Sequence, residues 1–136
     1  MKEPNVPILR EDHSAPYVFL DFDGVLNNAS SVEVYGGYGH AGDPRLDEVC
    51  VHLVRRLVER AGADIVISSS WRQAGLEQVI GALQTCDWME PPVVSRTELA
   101  RSAGLNVSRG ELITRWLSNH AHDALRRGDY LVLDDN

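Results

Sequence analysis

Two short apolar segments separated by an amphipathic helix constrain the fold of this chain most strongly. Residues 17–21 and 63–68 are apolar runs of strand length. Asp43 and Pro44 are predicted to open the helix as its N-cap and first residue, and Gly62 is predicted to end it. Its broad apolar face is formed at helical spacing by Leu46, Val49, Cys50, Leu53, Val54, Leu57 and Val58. A strand, a helix of this length and a second strand indicate a right-handed parallel unit.

The rest of the chain continues this alternation. The predicted elements are a helix over residues 73–85, a short strand at Val93-Val94, a helical turn from Thr97 to Gly104, a helix from Gly110 to about His120, and a last buried strand over residues 130–133. Residues 1–15 are predicted to be a flexible leader, and residues 16–136 a single domain. Residues 28–43 are polar and Gly-rich, which predicts a surface loop able to act as a flap. The predicted fold class is α/β, with a three-layer, Rossmann-like parallel sheet.

Composition narrows the function classes. The chain has 136 residues, of which 43% are hydrophobic and 24% charged, so it is globular and not disordered. Its net charge of −7 disfavours non-specific nucleic-acid binding, which would need a local basic patch. The two cysteines are too few for a disulfide framework. No signal peptide or transmembrane run is visible, so we expect a cytoplasmic protein with no membrane partner.

Polar residues follow three of the predicted strands. Asp21 and Asp23 end the first, a run of three serines follows the second, and Asp134 and Asp135 end the last. Because parallel strands bring these ends to one edge of a sheet, we expect four clustered carboxylates that need a cation. Hard oxygen ligands favour Mg²⁺. A calcium loop is the alternative for Asp-x-Asp-Gly, but Gly24 comes too early in the pattern.

The other polar groups suit phosphate binding. Serine hydroxyls can donate to phosphate oxygens, and Arg109 places a positive charge just before a helix. A carboxylate nucleophile, a metal and such donors are the components of phosphoryl transfer.

In this order the motifs resemble those of the haloacid dehalogenase (HAD) superfamily of phosphohydrolases. Asp-Phe-Asp-Gly-Val-Leu at 21–26 resembles motif I, and the serines after Ile-Val-Ile at 65–67 resemble motif II. Arg109 resembles the basic residue of motif III, and Leu-Val-Leu-Asp-Asp at 131–135 resembles motif IV. The finer pattern is similar to the phosphatase domain of Swiss Army knife RNA-repair proteins. That pattern comprises Ser-Ser-Trp-Arg at 69–72, Arg-Gly-Glu at 109–111 and Trp-Leu at 116–117. The resemblance covers residues 17–136.

The resemblance implies a covalent mechanism. Asp21 attacks phosphorus and becomes an aspartyl-phosphate. Asp23 protonates the leaving oxygen and then activates water, and its backbone carbonyl binds Mg²⁺. Asp134 or Asp135 completes the metal site formed with Asp21 and Asp23, and the sequence leaves open which of these two binds the ion.

The resemblance also implies the groups that hold the phosphate. Ser69 is expected to bind the phosphoryl group, with Ser68 as the alternative because the last residue of the strand is uncertain by one. Arg109 stabilises the nucleophile and the phosphate. Arg72 either binds phosphate or substrate, or pairs with a surface acid.

The sequence does not identify the substrate, and it does not explain why the chain ends soon after motif IV. No large insertion separates the motifs, so the enzyme is predicted to be capless, and an open site suits a bulky phosphorylated substrate such as a nucleic-acid end. The alternatives are a small-nucleotide 5′- or 3′-nucleotidase and a non-catalytic phosphate- or protein-binding module. Superfamily members usually continue past motif IV into a helix and a strand, whereas this chain ends at Asn136. An absent strand would leave an open sheet edge. The oligomeric state and the origin of this chain end are left open.

Overall fold

A computed structural model of the chain describes residues 16–22, 25–26, 46–68, 76–97 and 108–134. The strands are β1 (Tyr17–Leu20), β2 (Asp64–Ile67), β3 (Val93–Arg96) and β4 (Tyr130–Leu133). The helices are α1 (Glu48–Ala61), α2 (Leu76–Gln84), α3 (Arg109–His120) and α4 (His122–Arg127). The strands predicted at the start, middle and end of the chain are therefore confirmed, including the short strand that begins at Val93.

The four strands form one parallel sheet in the order β3-β2-β1-β4. The chain builds outward from β1 through β2 to β3, and then returns to place β4 on the other side of β1. The strand order thus reverses between β1 and β4. In open α/β sheets, ligands bind at the carboxyl end of the strands at such a reversal.

Helices cover both faces of the sheet, which confirms the predicted three-layer α/β fold. Successive strand residues point to opposite faces. Val18 and Leu20 of β1 accordingly belong to the core that contains α1 and α2, whereas Tyr17 and Phe19 pack with α3. The apolar stripe predicted for α3 is buried at all four positions: Leu112, Ile113, Trp116 and Leu117.

The start and the buried face of α1 differ from the prediction. The helix begins at Glu48, because the Asp47 side chain accepts hydrogen bonds from the backbone of Val49 and Cys50 and acts as the N-cap. The predicted cap at Asp43 with Pro44 is wrong as a helix start, and both residues lie outside the described ranges. Gly62 ends the helix with φ +62°, as predicted. The buried residues of α1 are Val51, Val54 and Val58, whereas Val49, Leu53 and Leu57 are exposed.

The last strand is correctly placed, but the prediction that it is buried is wrong. Tyr130, Leu131 and Val132 are 37%, 43% and 40% exposed. Among the described strands β4 lies at an edge of the sheet, so it lacks a neighbour on one side. An apolar run alone does not distinguish a central strand from an edge strand.

Several other predictions have mixed outcomes. The helix predicted over residues 73–85 is described as Leu76–Gln84, and the short helix α4 was not predicted. Thr97 follows β3 and is not helical, and residues 98–104 lie outside the described ranges, as do the leader and the flap at 28–43. In the described part of the chain, no helix is both long and apolar enough to cross a membrane.

A buried hydrogen bond ties α3 to β3 and gives a test of the packing. Trp116 donates from Nε1 to Ser95 Oγ at 3.0 Å, and its ring lies edge-on to those of Tyr17 and Phe19. Ser95→Ala removes this acceptor from a buried donor. We expect the free energy of unfolding, measured by urea denaturation, to fall by about 1–3 kcal/mol.

The matched control for this change is Ser118→Ala, at an exposed position on α3, the helix that carries Trp116. It should stay within about 0.5 kcal/mol of the wild type. Equal stability of the two variants would show that the Trp116–Ser95 contact does not hold α3 on the sheet.

Candidate active site

The residue that directly follows each strand lies at the same edge of the sheet. The backbone N–H of Asp21 donates to Leu133 at 3.0 Å, that of Ser68 donates to Leu20 at 2.9 Å, and that of Thr97 donates to Ile67 at 3.0 Å. The ladder therefore continues one residue beyond the strands. The residues in this position, which we call the edge row, are Thr97, Ser68, Asp21 and Asp134 in order across the sheet.

Arg109 joins the two carboxylates of the edge row. Its Nη1 atom lies 3.0 Å from Asp21 Oδ2 and 2.6 Å from Asp134 Oδ2. The Asp21 side chain is only 6% exposed and that of Asp134 14% exposed, so both charges are largely removed from water. One guanidinium nitrogen thus bridges carboxylates from β1 and β4, at the point where the strand order reverses.

The sequence around α3 explains why Arg109 stands there. Ser108 caps the helix by accepting a hydrogen bond from the Glu111 backbone at 3.1 Å, so Arg109 is the first helical residue. The buried stripe of α3 holds the helix on the sheet, with its N-terminus at the carboxyl ends of the strands. The positive end of the helix dipole adds to the guanidinium charge there. Both positive charges partly offset those of the Asp21 and Asp134 carboxylates.

Burial and charge act in opposite directions on Arg109. Partial burial alone lowers the pKa of its guanidinium, but the hydrogen bond that it donates to Asp134 and the charges of Asp21 and Asp134 outweigh this effect and raise the pKa. Arg109 is therefore a fixed cation beside the two carboxylates.

The two hydroxyl residues of the edge row have a different environment. Ser68 and Thr97 are each 1% exposed. Neither hydroxyl oxygen has a hydrogen-bond partner within the described ranges. Buried hydroxyls without partners are uncommon, because they lose their water without compensation.

The described donors fit a magnesium ion in part. Asp21 and Asp134 supply carboxylate oxygens within 3.0 Å of one nitrogen atom, and Mg²⁺ is usually held by one or two carboxylates, waters and a substrate phosphate. Over the described residues, no group of three or more His, Cys, Asp or Glu side chains is arranged to hold a metal. Asp23 and Asp135 lie outside those residues.

Four of the predicted site residues are described, and the structure brings them to one edge. Asp21, Arg109 and Asp134 are in contact, and Ser68 follows Asp21 in the row on the neighbouring strand. The predicted residues outside the described ranges are Asp23, Ser69, Arg72 and Asp135. Thr97 was not predicted to belong to this edge. The signal that locates it is the strand at Val93–Arg96, which ends one residue before it.

A groove opens beside the bridged carboxylates. It is lined by Arg109, Ile113 and Thr114 of α3 and by Tyr130, Val132 and Asp134 of β4 and its end. Its volume is about 420 Å³. Ligand atoms away from the carboxylates could therefore contact α3 and β4.

The parallel sheet with an acidic site at the carboxyl ends of its strands agrees with the match of a family model, which places the chain in a phosphatase-type hydrolase superfamily. Within it, the chain belongs to the family described as the HAD domain in Swiss Army Knife RNA repair proteins, whose model matches residues 17–136. Neither a curated protein nor a solved structure matches the chain.

Proposed function

We propose that this protein is a Mg²⁺-dependent phosphomonoesterase that forms an aspartyl-phosphate on Asp21, with a phosphorylated nucleic-acid end as its substrate. The observation that carries the proposal is the bridge from Arg109 to Asp21 and Asp134. A buried carboxylate beside a fixed cation, at the N-terminus of a helix, has the environment of a nucleophile that attacks a phosphate ester.

In the first step, Asp21 attacks phosphorus through a carboxylate oxygen. A new P–O bond forms as the ester P–O bond breaks, and Asp23 gives its proton to the leaving oxygen. Arg109 keeps Asp21 ionised and oriented before the attack. The same guanidinium then balances the charge on the phosphoryl oxygens as it develops.

In the second step, water releases the phosphate. Asp23 removes a proton from the water as the water oxygen attacks phosphorus. The P–O bond to Asp21 breaks, which frees inorganic phosphate and restores the Asp21 carboxylate. Ser68, or Ser69 next to it, donates a hydrogen bond to the phosphoryl group in both steps.

The carboxylates of Asp21 and Asp134, with the Asp23 carbonyl and Asp135, are the groups that would hold Mg²⁺. The HAD superfamily generally uses this ion. When bound, it neutralises charge on the phosphate and the carboxylates.

The nucleic-acid end is proposed on two grounds. The matching family is named for RNA repair proteins. The groove beside Arg109 offers surface for parts of a substrate that lie away from its phosphate. Binding energy from such remote contacts can be used to lower the barrier at phosphorus.

A substrate panel tests this proposal. We expect a phosphorylated oligonucleotide end to be hydrolysed with a kcat/KM roughly tenfold or more above that of the matching mononucleotide, equivalent to about 1.4 kcal/mol. Arg72→Ala should reduce this difference. Steady-state rates on 3′- and 5′-phosphorylated oligonucleotides and on free nucleotides provide the measurement.

Arg127→Ala is the matched control, since it removes an exposed arginine next to Gly128, before β4 begins. It should leave the substrate preference unchanged. Equal or better efficiency on mononucleotides would identify a nucleotidase instead. No turnover of any phosphate ester would favour a non-catalytic binding module.

A further inference from the structure

The hydroxyls of Ser68 and Thr97 lie side by side on one face of the sheet. Ser68 comes two residues after Val66, which packs in the α3 core, and Thr97 comes two residues after Ser95, which contacts Trp116 of α3. Because residues two apart on a strand share a face, both side chains belong to the α3 face. Asp21, which contacts Arg109 of α3, lies on the same face.

The register places these two residues opposite each other. Ile67 pairs with Arg96, and the Thr97 backbone donates to Ile67, so Ser68 and Thr97 are partners one residue past the strands. Neighbouring strands are about 4.8 Å apart. The two hydroxyl oxygens are not hydrogen-bonded to each other in the structure, and a change of the χ1 rotamer at one of the two residues would be needed to pair them.

Neither hydroxyl contributes to stability as it stands. Both are 1% exposed and neither has a partner in the described part of the chain. Burial without a partner costs free energy, and a valine at position 97 would fill the same space without that cost. A use outside folding is the physical reason to keep a hydroxyl there.

We propose that Thr97 is a positioning residue: when substrate binds, its hydroxyl turns to donate to Ser68 Oγ, so that the Ser68 proton points to the phosphoryl oxygens at Asp21. Each hydroxyl can donate one hydrogen bond while it accepts another, and a donor that itself accepts a bond is strengthened. This inference rests on the proposed function and assigns Ser68, in place of Ser69, as the phosphate donor.

Three variants test this relay, by which we mean the hydrogen bonds from Thr97 to Ser68 and from Ser68 to the phosphoryl group. They are Thr97→Val, Thr97→Ser and Ser68→Ala. Thr97→Val should lower kcat roughly tenfold, leave KM nearly unchanged, and keep or raise the melting temperature. Thr97→Ser, which retains the hydroxyl, should restore kcat. In the Ser68→Ala background, Thr97→Val should have no further effect, because residues that act through one another are not additive.

Thr85→Val is the matched control. The Thr85 hydroxyl already donates to the Ala82 carbonyl at 2.5 Å, at an exposed position away from the edge row. This variant should lose stability and keep full activity, the reverse of Thr97→Val.

The outcomes separate this inference from the proposed function. Full activity of Thr97→Val, or additive effects with Ser68→Ala, would overturn the relay while the phosphatase stands. A fall in both melting temperature and kcat that Thr97→Ser does not restore would show a structural role and also overturn it. An inactive wild-type protein would overturn the proposed function, and the relay with it.

Discussion

Asp21→Asn is expected to lower kcat by roughly 10³-fold or more. Asparagine has the same shape, but its amide oxygen is a poor nucleophile and cannot form an aspartyl-phosphate. Arg109 keeps its contact with Asp134 at 2.6 Å, so the guanidinium stays beside the site. The loss would therefore report the missing nucleophile and not a displaced arginine. Single-turnover rates on a phosphorylated oligonucleotide, with circular dichroism as a check of folding, provide the measurement.

The matched control for this loss is Asp123→Asn. Asp123 is an exposed carboxylate on α4 that pairs with Arg126 at 3.5 Å. It carries the same charge change far from the edge row, and should retain full activity. Near-full activity of Asp21→Asn itself would rule out the covalent mechanism.

Removal of Mg²⁺ is expected to stop turnover altogether and to lower the melting temperature. A ligand that binds only the folded state stabilises it by an amount that grows with the logarithm of its concentration, so Mg²⁺ should raise the melting temperature of protein treated with EDTA. Ca²⁺ should restore activity poorly, because it takes more ligands at longer distances. Phosphate release and thermal melts across a magnesium titration would measure both effects.

Two carboxylate variants locate this ion. Asp134→Asn should raise the Mg²⁺ concentration needed for half-maximal activity, because Asp134 lies beside Asp21 across one nitrogen of Arg109. Asp129→Asn changes an exposed carboxylate at the opposite end of β4 and should leave that concentration unchanged. Normal turnover in EDTA would refute the metal dependence.

The sequence is most informative where one physical factor dominates. The apolar runs at Tyr17–Leu20 and Asp64–Ile67 are central strands, buried on both faces, and their sequences show it directly. The meeting of Asp21 and Asp134 follows from the geometry of parallel strands alone. Their common contact with Arg109 also requires α3 to dock with its N-terminus at that edge, which its buried stripe and Ser108 cap bring about.

The errors fall where two factors compete. Asp43-Pro44 and Asp47 both carry signals for a helix start, and the hydrogen bonds of the Asp47 side chain decide between them. The apolar residues Leu53 and Leu57 follow the helical spacing of the buried face of α1, yet both are exposed in the described part of the chain. Thr97 was missed because a strand of four residues carries too little periodicity to fix its end.

The contact between Asp21 and Arg109 also has a consequence for how this protein folds. The two residues are 88 positions apart in the chain, and β1 pairs directly with the last described strand. Contacts of such long range are made late, because the chain must close a large loop before they can form. During synthesis, β1, β2 and β3 emerge and can assemble first, while the nucleophile lacks its guanidinium partner. A nascent or incompletely folded chain would therefore carry Asp21 without its arginine partner, so that the proposed phosphatase activity would appear only after β4 has joined the sheet.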